Sequence, residues 1–182
     1  MHDAIERADR EGFTREPPKT LKGQIGFLIK QLGSAKAVAQ EIGVTADSVN
    51  RYRRGARKHA RADVASKIDD AVRARWQPQV RKRRQRQAAT TGGITVETRA
   101  RFGYTAPVGT TDDGRFRRLT VHLPPDYARR LFDARDAGAS DQQMRKIIAE
   151  GFKEIYLQDG GARAMGLSDM EINDIDYLDL EY

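Results

Sequence analysis

The chain has 182 residues, a formal net charge of +7 at pH 7 and no cysteine. That length suffices for one domain or two small ones, the basic balance favours a polyanionic partner, and the lack of cysteine excludes disulfides, thiolate chemistry and Cys-based zinc sites. No apolar run approaches membrane-spanning length and the N-terminal MHDAIERADREG is charged from its start, without a signal-peptide core, so a cytoplasmic protein without a membrane partner is expected.

In chain order, residues 1–19 end in Pro17-Pro18 and are expected to form a flexible N-terminus. Thr20 then caps a helix whose Ile25, Leu28, Ile29 and Leu32 recur at i, i+3, i+4 and i+7, and Gly33 ends it. Residues 35–54, AKAVAQEIGVTADSVNRYRR, read as a helix-turn-helix. Ala39 is the small residue at the helix crossing, Gly43 supplies the left-handed turn, and Val49 is the apolar anchor of the second helix. Thr45 is a good N-cap. Thr45, Ala46, Asp47, Asn50, Arg51 and Arg54 then point outward, where a recognition helix meets base edges and phosphates. The alternative is a plain αα-hairpin with a basic outer face. A fourth helix, with Val64, Ile68 and Val72 on one face, runs from near Ala62 to about Trp76, and Pro78 interrupts it. Residues 20–77 are thus expected to form a DNA-binding helical bundle.

Charge is segregated along the chain. Between Arg51 and Arg86 there are fourteen Lys/Arg against three acids (Asp63, Asp69, Asp70). Residues 78–93 are expected to be a basic linker. Its PQVRKRRQRQAATT contains no acid, so Arg81, Lys82, Arg83, Arg84 and Arg86 are expected to contact phosphates by counterion release. From Asp159 to Tyr182 there are seven acids and one arginine. Residues 161–182 therefore look like an acidic C-terminal tail that contacts a basic surface or another protein, or merely solubilises the chain.

The second half changes character after Gly92-Gly93. Residues 94–102 and 115–123 are strand-like, and a turn-rich loop, GYTAPVGTTDDG, lies between them. Pro124-Pro125 opens a helix to about Asp136, Ser140 caps another carrying Met144, Ile147, Ile148, Phe152 and Ile155, and Gly160-Gly161 closes it. The terminal MEINDIDYLDLEY partly alternates and could add a strand. The fold class is α+β: a helix-turn-helix bundle, then a small β-hairpin and two-helix domain over residues 94–160 that offers a dimerisation surface. The second strand either pairs with residues 94–102 or forms a ribbon-helix-helix across a homodimer, with Arg115, Arg117 and Thr120 available to a groove.

No catalytic constellation stands out. Asp112-Asp113 belong to a TTDDG turn, where Asp and Gly favour local hydrogen bonding. Tyr104, Thr105, Thr110 and Thr111 put hydroxyls on an exposed segment between basic strands, where one could serve as a covalent attachment point.

Several blocks carry a family resemblance: GFLIK, GSAKAVAQEIGVTADSVNRYRRG, RWQPQVRKRRQRQAATTGGITVETRARFGYTA, GTTDDGRFRRLTVHLPP, YARRLFDARDAGAS and AEGFKEIYLQDGG. Over nearly its whole length the chain resembles the telomere terminal protein (Tpg) family of linear Streptomyces-type chromosomes and plasmids. The resemblance implies a nucleoid-associated protein at the ends of linear replicons. Such a protein binds telomeric DNA, both duplex and the single-stranded 3′ overhang, and becomes joined to the DNA 5′ end through a threonine hydroxyl that primes end-patching synthesis. It implies attachment at Thr111, with Thr110 second. It implies no intrinsic enzymatic activity and no resident cofactor, the Mg2+ and deoxynucleotide coming with a DNA polymerase. A telomere-associated protein is the other implied partner. The residues alone leave two alternatives open: a dimeric helix-turn-helix transcriptional regulator, and an architectural protein that binds through charge.

Overall fold

The computed structural model describes residues 1–106, 109–112, 115–158 and 166–182, without the side chains of 106 and 110–112. Over these residues the protein is α+β. Its helices are α1 (His2–Glu11), α2 (Leu21–Leu32), α3 (Ala35–Ile42), α4 (Ala46–Arg54), α5 (Ala62–Arg75), α6 (Pro78–Gln87), α7 (Pro125–Asp136) and α8 (Asp141–Gly151). Its strands are β1 (Ile94–Ala106), β2 (Gly109–Asp112), β3 (Arg117–Leu123) and β4 (Asp169–Glu181). Among the described residues no helix is long and apolar enough to cross a membrane. The chain divides into two units, Thr14–Pro78 and Met1–Phe13 with Gln79–Tyr182.

The first unit is helical. Three of its helices begin at a hydroxyl cap: Thr20 accepts from the Gly23 amide, Ser34 from Ala37 and Thr45 from Ser48. Each cap is worth about 1 kcal/mol. Ile25, Leu28, Val38, Ile42, Val49 and Ile68 are fully enclosed between α2, α3, α4 and α5. The helix boundaries follow the expected punctuation, because caps and glycine stops are local signals that need no tertiary context.

The second unit is a four-stranded antiparallel sheet with helices on one face. β1 is its central strand. β4 pairs along one edge of β1, while β2 and β3 follow one another along the other. Both edges break register at the same level. Gly103 pairs with Asp112 but Ala100 with Arg117, and Arg99 pairs with Tyr177 but Arg101 with Asn173. Asp174, inside the second irregularity, has φ of +31°. The register steps by two across each break. An even step keeps every side chain on its own face of the sheet. Ile94, Val96, Thr98, Ala100 and Phe102 of β1 are therefore all buried on one face, together with apolar residues of α1, α7, α8 and a π-helical turn at Phe152–Leu157. Thr98, polar and fully enclosed, donates to the Tyr177 carbonyl at 2.7 Å.

Five expectations are corrected. Residues 1–19 are not a flexible arm throughout: α1 buries Ala4, Ile5 and Ala8 in the core of the sheet unit. Residues 78–93 are not a linker but α6 and a π-helical turn at Ala88–Gly92. The segment 103–114, read as a loop, contains the end of β1 and all of β2, joined as an antiparallel pair. The acidic tail is largely strand β4, whose acids alternate with buried Met170, Ile172, Leu178 and Leu180. The ribbon-helix-helix alternative gives way to the intrachain one, since β3 pairs with β1 from Ile94↔Leu123 to Ala100↔Arg117. The helix closure expected at Gly160-Gly161 lies outside the described residues.

Candidate nucleic-acid interface

In the helical unit the helix-turn-helix is α3, its turn and α4. Ala39 is buried, and its carbonyl accepts from the Gly43 and Val44 amides, which closes the turn. Gly43 has φ of +70°. A β-carbon is strained in that conformation, which is why glycine stands there. Val49 and Tyr52 turn inward. The Thr45 hydroxyl is engaged at the cap, 3.2 Å from the Ser48 amide and 3.0 Å from its hydroxyl. Ala46 is half-buried against the bundle and Asn50 is half-buried. Asp47, Arg51 and Arg54 are exposed, and Asp47 pairs with Arg51 at 2.8 Å, one helical turn away. Such an exposed i, i+4 pair is worth only about 0.3–0.5 kcal/mol, so a phosphate can displace it. Exposed Arg53 in the last turn and Arg57 and Lys58 beyond it extend the basic surface. The outward list from sequence omitted these three, although the charge run held the signal.

The basic run divides by helical phase. In α6 the side chains at 81, 84 and 85 face the sheet unit's own residues. Arg81 lies 5.3 Å from the Phe13 ring centre. Arg84 donates to the Ala8 carbonyl at 2.9 Å and to the Tyr182 carbonyl, with its guanidinium 5.4 Å from the Tyr182 ring. Gln85 donates to both carboxylate oxygens of Asp9, at 3.0 and 3.1 Å. Lys82, Arg83 and Arg86 are exposed. Arg81 and Arg84 are therefore corrected from phosphate contacts to packing residues. Their aliphatic stems and planar heads cover aromatic faces, a use of arginine that a charge count misses.

The threonines expected to take a nucleotide are placed by their backbone in β2. Thr111 is the register partner of Tyr104, and Thr110 that of Thr105. The Thr105 carbonyl accepts from both the Ser168 amide and the Ser168 hydroxyl, each at 2.8 Å, so the residue before β4 holds the end of the strand that β2 pairs with. Asp113 lies outside the described residues and Asp112 is placed by its backbone alone.

The sheet face opposite the helices carries Glu97, Arg99 and Arg101 of β1. Glu97 accepts from Arg118 Nε at 2.9 Å and from the Tyr177 hydroxyl at 2.8 Å. The Arg118 guanidinium holds the Glu97 carboxyl below the usual carboxylate range, with help from the Tyr177 hydroxyl. Arg99 pairs with Asp176, and Arg101 with Asp174 at 3.1 Å. The Phe116 ring lies 5.0 and 4.8 Å from the guanidinium carbons of Arg99 and Arg101. Sequence reading picked neither β1 arginine, because their convergence on Phe116 depends on strand pairing. No family model, curated protein or solved structure matches this chain.

Proposed function

We propose that this protein is a DNA-binding terminal protein of linear replicons. It holds duplex DNA through α3 and α4 and offers a threonine of β2, Thr111 or its neighbour Thr110, as the primer for end-patching synthesis. The observation that carries the DNA-binding part is the capped α3–turn–α4 unit with its exposed Arg51, Arg53 and Arg54. The priming part rests on the resemblance of the GTTDDGRFRRLTVHLPP block and its neighbours to telomere terminal proteins. Support comes also from two adjacent hydroxyl residues beside a strand rich in arginine.

In the proposed step the threonine oxygen attacks the α-phosphorus of a deoxynucleoside triphosphate. A phosphodiester forms, the bond to the bridging oxygen breaks, pyrophosphate leaves, and the hydroxyl proton passes to solvent. The partner polymerase brings the Mg2+-bound triphosphate, and a telomere-associated protein brings the DNA end. This chain's part is to present an oxygen where a primer 3′-hydroxyl would stand.

The test incubates the full chain with labelled deoxynucleotide, telomeric template and replication extract. Label should become resistant to denaturation on the wild type and be lost in Thr111→Ala, or in Thr110→Ala. An unlabelled wild type in an active extract leaves a helix-turn-helix regulator instead. Replacing Arg51 and Arg54 together by alanine should lower duplex affinity at least tenfold, by the loss of about two charge-assisted contacts. Unchanged affinity would remove α4 from the interface.

A further inference from the structure

We infer that the sheet face opposite α1, α7 and α8 is a second nucleic-acid site, one that stacks and tracks single-stranded DNA. Five observations converge on it. Helices α1, α7 and α8 share the apolar core on one face of the sheet, and the opposite face carries the alternate residues Glu97, Arg99 and Arg101. Phe116, 39% exposed, is one of two large exposed aromatics among the described residues. Its ring lies against the guanidinium groups of Arg99 and Arg101, the outward residues of β1. Arg118 adds a guanidinium 5.9 Å from the half-buried Tyr177 ring on the same face. Arg115 precedes Phe116 in sequence and is exposed.

An aromatic ring between guanidinium groups is the chemistry that binds unpaired bases. The ring takes the base face and the cations take the backbone. Duplex DNA cannot use it, because its bases are already stacked. The arginines are paired with carboxylates, but the pairs are open to water: Arg99 and Asp176 are each 49% exposed, and Asp174 is 62% exposed. Such pairs are weak, and incoming phosphates can replace the carboxylates. The remaining acids of β4, including Asp179 and Glu181, line the far side of the face. Charge therefore confines a polyanion to the half of the sheet formed by β1 and β3, and this asymmetry is what selects a nucleic acid as the occupant. Phe116 follows the last residue of β2 by four positions. A strand joined at Thr110 or Thr111 would start within six residues of Phe116 in the chain, and that detail alone rests on the attachment reading.

The experiment measures anisotropy of a labelled 20-nucleotide single strand and of the matching duplex, with the full chain at several salt concentrations. Phe116→Ala should weaken single-strand binding about tenfold, in the range that one lost base stack produces, while leaving duplex binding unchanged. Phe116→Trp should restore it, and its indole emission should be quenched by the single strand. Arg99→Gln with Arg101→Gln should weaken single-strand binding and reduce its salt dependence by about two charges. Arg51→Ala with Arg54→Ala should do the reverse, losing duplex and keeping single strand. Wild-type single-strand affinity in both the Phe116→Ala and the double glutamine variants overturns the inference. So does a Phe116-dependent dimer in sedimentation, which would make the face a contact between copies. Loss of label transfer with intact single-strand affinity sinks the attachment reading instead, so the two failures are distinguishable.

Discussion

Tyr182 shows how much a single side chain joins. Its hydroxyl donates to Asp9 Oδ1 at 2.7 Å, its ring packs edge-on to Phe132 at 5.1 Å, and Arg84 covers its other side. Asp9 is a carboxylate only 3% exposed, held by this hydroxyl and by Gln85, with Arg135 at 3.9 Å. Burial first, and then the Asp9 carboxylate, push the phenol well above its ordinary value of 10.0. The sign follows directly. A group whose native value is raised stabilises the fold fully below its unfolded value, and that stabilisation is lost as pH rises past it. Tyr182→Phe should cost about 1–3 kcal/mol near neutrality, because a buried carboxylate loses a donor. It should also flatten the fall in stability above pH 10. Urea unfolding at both pH values checks this, and equal alkaline slopes in the two proteins would refute it. None of it was legible in the sequence: Asp9 sits in a segment read as a flexible arm, and its partners come from α6, from α7 and from the residue after β4.

At the scale of the element, α6 and β4 show why charge alone misleads. The α6 sequence PQVRKRRQRQ lacks an apolar stripe, so periodicity could not reveal its inner face. In the fold, guanidinium groups and a buried hydrogen-bond network replace that stripe. Two classes of basic residue should therefore behave differently. Replacing Lys82, Arg83 and Arg86 by glutamine should flatten the salt dependence of DNA binding and leave the unfolding midpoint unchanged. Arg84→Ala should lower that midpoint by about 1–3 kcal/mol of stability, since two carbonyls lose a charged donor. If Arg84→Ala is thermally silent, its packing role is wrong. In β4 the acids hid a regular alternation, and the two-residue bulge at Asp174 preserves its phase. By contrast, α2 and the turn from α3 into α4 were legible nearly to the residue, because Thr20, Gly33, Gly43 and Thr45 act within one helical turn of themselves.

Over the whole molecule, the unit boundary does not follow chain order. α1 precedes the helical unit but belongs to the sheet unit, where Arg7 reaches the Leu178 carbonyl at 2.6 Å across a separation of 171 residues. Ile5→Ala should therefore destabilise the sheet unit by about 2–5 kcal/mol, the usual cost of emptying a buried aliphatic site. The helical unit should be unaffected. Trp76, the only tryptophan, lies in the helical unit and packs against Phe27 at 5.0 Å, so its emission reports that unit separately from the far-ultraviolet strand signal. A shift of the Trp76 transition in Ile5→Ala, or no shift in the strand signal, would contradict this assignment. Sequence by itself determined the α+β class and the helices α2 to α5 with the turn at Gly43. These rest on spacing, caps and glycine turns, which are short-range physics. Tertiary structure alone decided that the N-terminal segment is core, that Arg81 and Arg84 of the basic run pack within the sheet unit, that the acidic end is a strand, and that Arg99, Arg101 and Phe116 meet. Each of those depends on partners far away in the chain, and neither periodicity nor local charge carries information about which distant residue a side chain will find.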